Sequence, residues 1–119
     1  MNVEVEAIAQ AALAGEALAA RSLTQEFLRA NPTLAEIASP TVHDPEVLAM
    51  TAALLELFAE RTNQPAPAWT RIVGALPSPV YLLQAAKTMK RLRELCHDFA
   101  PEPLRRRNLF APPNYLEMI

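Results

Sequence analysis

Eleven prolines divide this 119-residue chain into pieces of helical length. Proline lacks an N–H and clashes with the preceding turn, so it suits a helix start and ends a helix elsewhere. Only two glycines accompany the prolines, and no Asn-Gly or Asp-Gly pair occurs. Tight hairpin turns depend on such residues, so the pattern argues against an all-β fold. The alanine- and leucine-rich stretches between prolines favour helix instead. The expected fold is all-α, an irregular bundle of about four to five helices. An extended Pro/Arg-rich C-terminal segment should pack on it or on a partner.

The first apolar-periodic piece runs from Val3 to about Ala20, with Gly15 as its weak point. Ser22 with Gln25 fits a capping box and marks a possible second helix over Leu23–Ala30, so one bent helix or two are both open. Pro32 closes that piece. Thr33 with Glu36 repeats the box ahead of a short turn ending at Ser39-Pro40. Asp44-Pro45-Glu46 is the strongest start signal, joining an N-cap, a first-position proline and an acid at the positive end of the helix dipole. The helix expected over Pro45 to about Thr62 has an apolar face too wide for one buried side, which makes it the centre of the core. Asn63–Pro79 reads as a connector with one helical turn near Trp69. Ser78-Pro79 then predicts a last long helix to about His97, with Val80, Leu83, Ala86, Met89 or Lys90, Leu92, Leu95, Cys96 and Phe99 along one face.

Length allows one domain, read as a helical region 1–100 and a C-terminal extended segment 101–119 that either belongs to it or binds a partner. Charge is unevenly placed. Residues 1–70 carry nine acids against three arginines, and residues 71–119 carry eight bases against four acids. Such a chain can neutralise itself, pair with a copy or offer its basic end to an anion. Cys96 is the sole cysteine, so no internal disulfide can form. The N-terminus has no signal-peptide pattern and no run is apolar enough to span a membrane, which makes the cytoplasm the default location.

No catalytic constellation stands out, and no catalytic, cofactor-binding or metal-ligating residue is assigned. Cys96-His97 lacks the further ligands that zinc needs, and a lone cysteine behaves as a small apolar group. His43 reads as a loop residue beside a helix cap. Glu56 and Glu60, four apart on one helix, read as a solvated face. Trp69 reads as a structural anchor that pins a proline-rich loop. The basic residues Lys87, Lys90, Arg91 and Arg93 offer possible contact with an anion or nucleic acid. In the last nineteen residues, Arg105, Arg106 and Arg107 stand beside Phe110, Tyr115 and Leu116. A merely disordered tail would be poorer in such apolar groups. These six are the expected partner contacts.

The segments Pro67–Thr70, Pro103–Asn108 and Pro113–Leu116 resemble a set of small bacterial helical proteins of uncharacterised function. Some of these look like the antitoxin or accessory member of a two-gene module with a nucleotidyltransferase-like partner. The likeness covers the latter half of the chain and brings no catalytic residue with it. It implies an interaction role. The expected function is thus a non-enzymatic protein–protein interaction module, antitoxin-like or an accessory subunit, whose partner is a second copy or a nucleotidyltransferase-like protein. The alternative is a nucleic-acid-binding regulator using the basic half, for which binding should weaken steeply with salt.

Overall fold

The computed structural model describes residues 4–41 and 43–117 of the chain. A left-handed residue follows each of its first three helices. Helix α1 (Val5–Leu13) stops at Gly15, whose φ is 78°. The Gly15 N–H donates to the Ala12 carbonyl at 3.1 Å and the Glu16 N–H to Ala11 at 2.9 Å, closing the helix end in a Schellman motif. A Cβ at Gly15 would also run into the Gln84 amide. Helix α2 (Ala17–Arg29) is followed by Asn31 at φ 51°, and α3 (Pro45–Thr62) by Asn63 at φ 56°. Asparagine tolerates this region better than other side chains, so it serves where glycine is scarce.

The first piece is therefore two helices, split at Gly15. The capping box at Ser22 does not form, because the chain is already helical from Ala17 and leaves Ser22 exposed inside α2. Thr33 makes no side-chain cap before the 3-10 turn Leu34–Glu36 either. Asp44, by contrast, caps α3 as expected: its Oδ1 accepts from the Glu46 N–H at 2.9 Å, with Pro45 in the first turn.

Helix α3 is buried on most sides. Met50, Leu54, Leu55 and Phe58 lie in a core completed by Val5, Ile8 and Ala12 of α1 and by Ala20 and Phe27 of α2. The Phe27 and Phe58 rings sit 5.8 Å apart, a separation at which aromatic pairs add to area burial. Two threonines inside the core satisfy their hydroxyls on the preceding turn, Thr24 to Ala20 and Thr51 to Val47, each at 2.7 Å. Burying them therefore leaves no polar atom stranded.

The last third departs from the sequence expectation. No long helix follows Ser78-Pro79. Strand β1 (Val80–Tyr81), a 3-10 turn Gln84–Lys87 and the shorter helix α4 (Lys90–Phe99) stand in its place. The reason is non-local. The C-terminal segment forms a short helix α5 (Glu102–Arg105) and strand β2 (Leu109–Phe110), and β2 pairs in parallel with β1. The Val80 N–H donates to Asn108 at 2.8 Å and the Leu82 N–H to Phe110 at 2.9 Å, so backbone groups that a helix would have used are taken by the tail.

The whole remains an all-α irregular bundle, 58% helix against 4% strand. Leu104, Leu109, Ala111 and Leu116 join the main core with α1–α3, so residues 101–117 share that core rather than extend from it. A second, smaller cluster joins Ala86, Cys96, Ala100 and Phe110, with Tyr81, Leu83 and Leu92 packed against it. It carries α4 on the far side of the β1–β2 ribbon. Among the described residues no helix is long and apolar enough to cross a membrane.

Candidate interaction surface

The arginine run turns inward at its last member. The Arg107 side chain is only 1% exposed and uses every guanidinium nitrogen. Nη1 and Nη2 donate to the two oxygens of Glu56 at 2.7 and 3.0 Å. Nη1 also reaches the Pro103 carbonyl, Nη2 the Thr70 carbonyl and Nε the Val73 carbonyl, at 3.0, 2.8 and 3.2 Å. Such planar two-point pairing is what arginine does better than lysine. Arg106 also bonds Glu56, from a half-exposed position. The Glu56 carboxylate is 11% exposed. Burial pushes its pKa up, but hydrogen bonding and charge from Arg107, helped by Arg106, outweigh that and hold it below its ordinary value.

This corrects the reading of Glu56 as part of a solvated face. Glu60 is exposed, but Glu56 clasps the C-terminal segment to α3 through Arg107, which also bonds the 3-10 turn Ala68–Ile72 at the Thr70 carbonyl. A sequence signal was present: Glu56 is the one charge within Ala52–Ala59, whose other members are all buried.

The other expected tail contacts are also engaged within the chain. Phe110 and Leu116 are buried. Tyr115 packs against the main core, where burial pushes its phenol up to about 12. Its carbonyl accepts from Arg61 Nη1 at 2.7 Å. Arg105 donates to the Asp98 carbonyl at 3.0 Å and to Glu102. Thus Arg107, Phe110 and Leu116 are interior residues, and Arg105, Arg106 and Tyr115 have partners in their own chain. Trp69 is half-buried, and its Nε1 donates to the Ile37 carbonyl at 2.8 Å, tying the proline-rich connector to the loop before α3.

The four bases around α4 divide. Arg93 caps the 3-10 turn before it, donating to the Ala86 and Lys87 carbonyls at 3.0 and 2.6 Å. Lys87, Lys90 and Arg91 are exposed and make no side-chain hydrogen bond among the described residues. Beside Arg91 lies an apolar stripe. Leu92 is half-buried, Leu95 is 40% exposed and Phe99 is 61% exposed. Met89, just before the helix, is exposed too. Of α4's residues, Cys96 alone is fully buried.

Burial raises the Cys96 thiol pKa, which keeps it protonated and poorly nucleophilic. His97 stacks on Phe110 at 4.8 Å, and its Nδ1 lies 3.1 Å from Asp98. His43 lies in the exposed loop before α3. Among the described residues, no three His, Cys, Asp or Glu side chains gather as a metal site. A groove of about 520 Å³ opens beside Val5, Phe27, Ile37 and Pro40, with Glu4 and Glu6 in its wall. No family model, curated protein or solved structure matches the chain.

Proposed function

We propose that the chain is a non-enzymatic protein–protein interaction module whose contact surface is the outer face of α4. One observation carries this reading: Leu95 and Phe99 project an apolar stripe into solvent, flanked on the same helix by the exposed charges Arg91 and Asp98. Large apolar groups exposed together, rimmed by charge, mark contact sites more often than scattered single ones do. The expected contribution of the C-terminal segment is different. Its apolar groups support the fold, and its arginines already have partners. An antitoxin-like or accessory role in a two-gene system would therefore use α4, with Pro103–Asn108 holding the helix's platform in place.

The nucleic-acid alternative has less support. Of the seven bases on which it drew, Arg93, Arg105, Arg106 and Arg107 bond to carbonyls or carboxylates of the same chain. The test is a photo-crosslinking amino acid placed at position 95 in the native host, with position 26 on exposed α2 as control. Discrete protein adducts from position 95 and none from position 26 are expected. Equal labelling from both positions, or none from position 95, overturns the proposal.

A further inference from the structure

Which protein covers the α4 stripe follows from the way the helix's charges are spaced. At about 100° per residue, Leu92, Leu95 and Phe99 fall within about 60° of one another on the helix surface. Cys96 lies about 40° past Leu92, so the side packed on the molecule and the apolar stripe overlap only in part. On the opposite flank of the stripe stand Arg91 and Asp98, within about 20° of each other but near opposite ends of the helix. Both are exposed. Arg91 makes no side-chain bond among the described residues, and Asp98 has only the adjacent His97 at its carboxylate.

We infer that the stripe binds a second copy of this chain, α4 against α4, antiparallel about a two-fold axis between Leu95 and Cys96. The inference rests on the interaction reading above and names its partner. In that arrangement Leu95 meets its own copy near the axis, and Leu92 lies opposite Phe99 of the second copy. A two-fold of this kind brings like flanks together. Arg91 of one copy then falls within about 3 Å, measured along the helix, of Asp98 of the other, and the same pair recurs at the other end of that flank. A parallel pairing about a two-fold would bring unlike flanks together and leave the Arg91–Asp98 flanks on opposite sides of the seam, with no such pair. Charge thus selects both the second copy and its direction. Lys90 and Glu94 point away from the seam. The stripe is small beside the ~800 Å² per partner of a standard interface, so the dimer is weak and depends on concentration.

Sedimentation equilibrium of the full chain from micromolar to millimolar concentration tests this. The average mass should rise towards twice the monomer's. Phe99→Asp should abolish the rise without changing the thermal midpoint of dilute, monomeric protein, since Phe99 is mostly exposed. Arg91→Asp and Asp98→Arg should each weaken association by about two- to fivefold, as expected for a rim charge pair, and the double variant should restore it. A constant monomer mass, an unaffected Phe99→Asp dimer or a double swap no better than either single one overturns the inference. A strictly monomeric chain that still gives discrete heterologous adducts from position 95 rejects the second copy while upholding the interaction module.

Discussion

Helices α3 and α4 differ in how completely their own chain covers their apolar residues. Apolar residues surround α3 with little preference for one face, and that helix lies at the centre, with Val47 through Ala59 buried at all but two positions, Leu48 and Glu56. In α4 the apolar and charged residues separate cleanly, as in a helix that lies on a core, yet Cys96 is its one fully buried residue. Amphipathic spacing says which face of a helix avoids water. It does not say what covers that face. For α3 the cover is intramolecular and complete, and for α4 it is partial. The C-terminal segment accounts for the difference, because it packs against α3 and lifts α4 onto the smaller cluster.

The largest expected effect breaks the comparison outright. Deleting residues 101–119 removes Leu104, Leu109, Ala111 and Leu116 from the main core, Phe110 from the second, and the Arg107 clasp from both Glu56 and Thr70. Cooperative thermal unfolding should disappear, and helical circular dichroism should fall well beyond the loss of α5. A truncated chain that still melted cooperatively would mean α3 needs no cover from the tail.

Next in size are single changes at the clasp and in the packing of α3. Arg107→Ala leaves the mostly buried Glu56 carboxylate with only the half-exposed Arg106 beside it, unpairs the Pro103, Thr70 and Val73 carbonyls, and should cost about 3–5 kcal/mol in urea unfolding. Leu54→Ala, wholly within α3's packing, should cost about 2–5 kcal/mol through the lost methyl groups and the cavity left behind. Replacing both partners with apolar groups, Glu56→Leu with Arg107→Met, should recover much of the Arg107→Ala loss, because no charge is then stranded.

The clasp also gives stability a pH dependence. The folded Glu56 pKa lies below its ordinary value of 4.5. Its contribution is therefore fully present above the unfolded value and is lost as pH falls from there towards the folded pKa. The urea midpoints of the wild type and Glu56→Gln should differ clearly at pH 7 and converge below about pH 4.5. A difference that stayed constant down to pH 3 would show that the carboxylate is not held ionised by its arginines.

The sequence was most informative where structure is set locally. Asp44-Pro45-Glu46 specified both the start and the geometry of α3's cap, and the width of its apolar face marked it as central. Local reading failed where partners are distant. Val80 and Tyr81 carry no mark distinguishing a helical first turn from a strand whose partner lies twenty-nine residues on, at Leu109 and Phe110. The scarcity of glycine concealed another feature. Asn31, Asn63 and Asn108 all take left-handed backbone, so asparagines make turns that a glycine count misses. Glu56 was open to a sharper reading, since an isolated acid inside an apolar run needs a buried base, and three arginines stood fifty residues away.

The smallest expected effect is also the sharpest probe of the comparison. Phe99 on α4 and Phe58 on α3 have the same side chain, one on a cleanly amphipathic helix and one on a helix buried on most sides. Phe58→Ala should cost about 3–5 kcal/mol, as for other buried aromatics. Phe99→Ala should change the stability of dilute, monomeric protein by no more than about 0.5 kcal/mol, since its ring is 61% exposed. Alanine also favours helix more than phenylalanine does, so a slight gain is allowed. Measuring the pair at low and high protein concentration separates two kinds of cover. Phe58→Ala should lose the same amount at both, because what it loses is within the chain. Phe99→Ala should lose stability only at high concentration, where folding is linked to association by mass action. If Phe99→Ala were as costly as Phe58→Ala in dilute solution, α4 would be covered by its own chain, and its outward stripe would have no contact left to make.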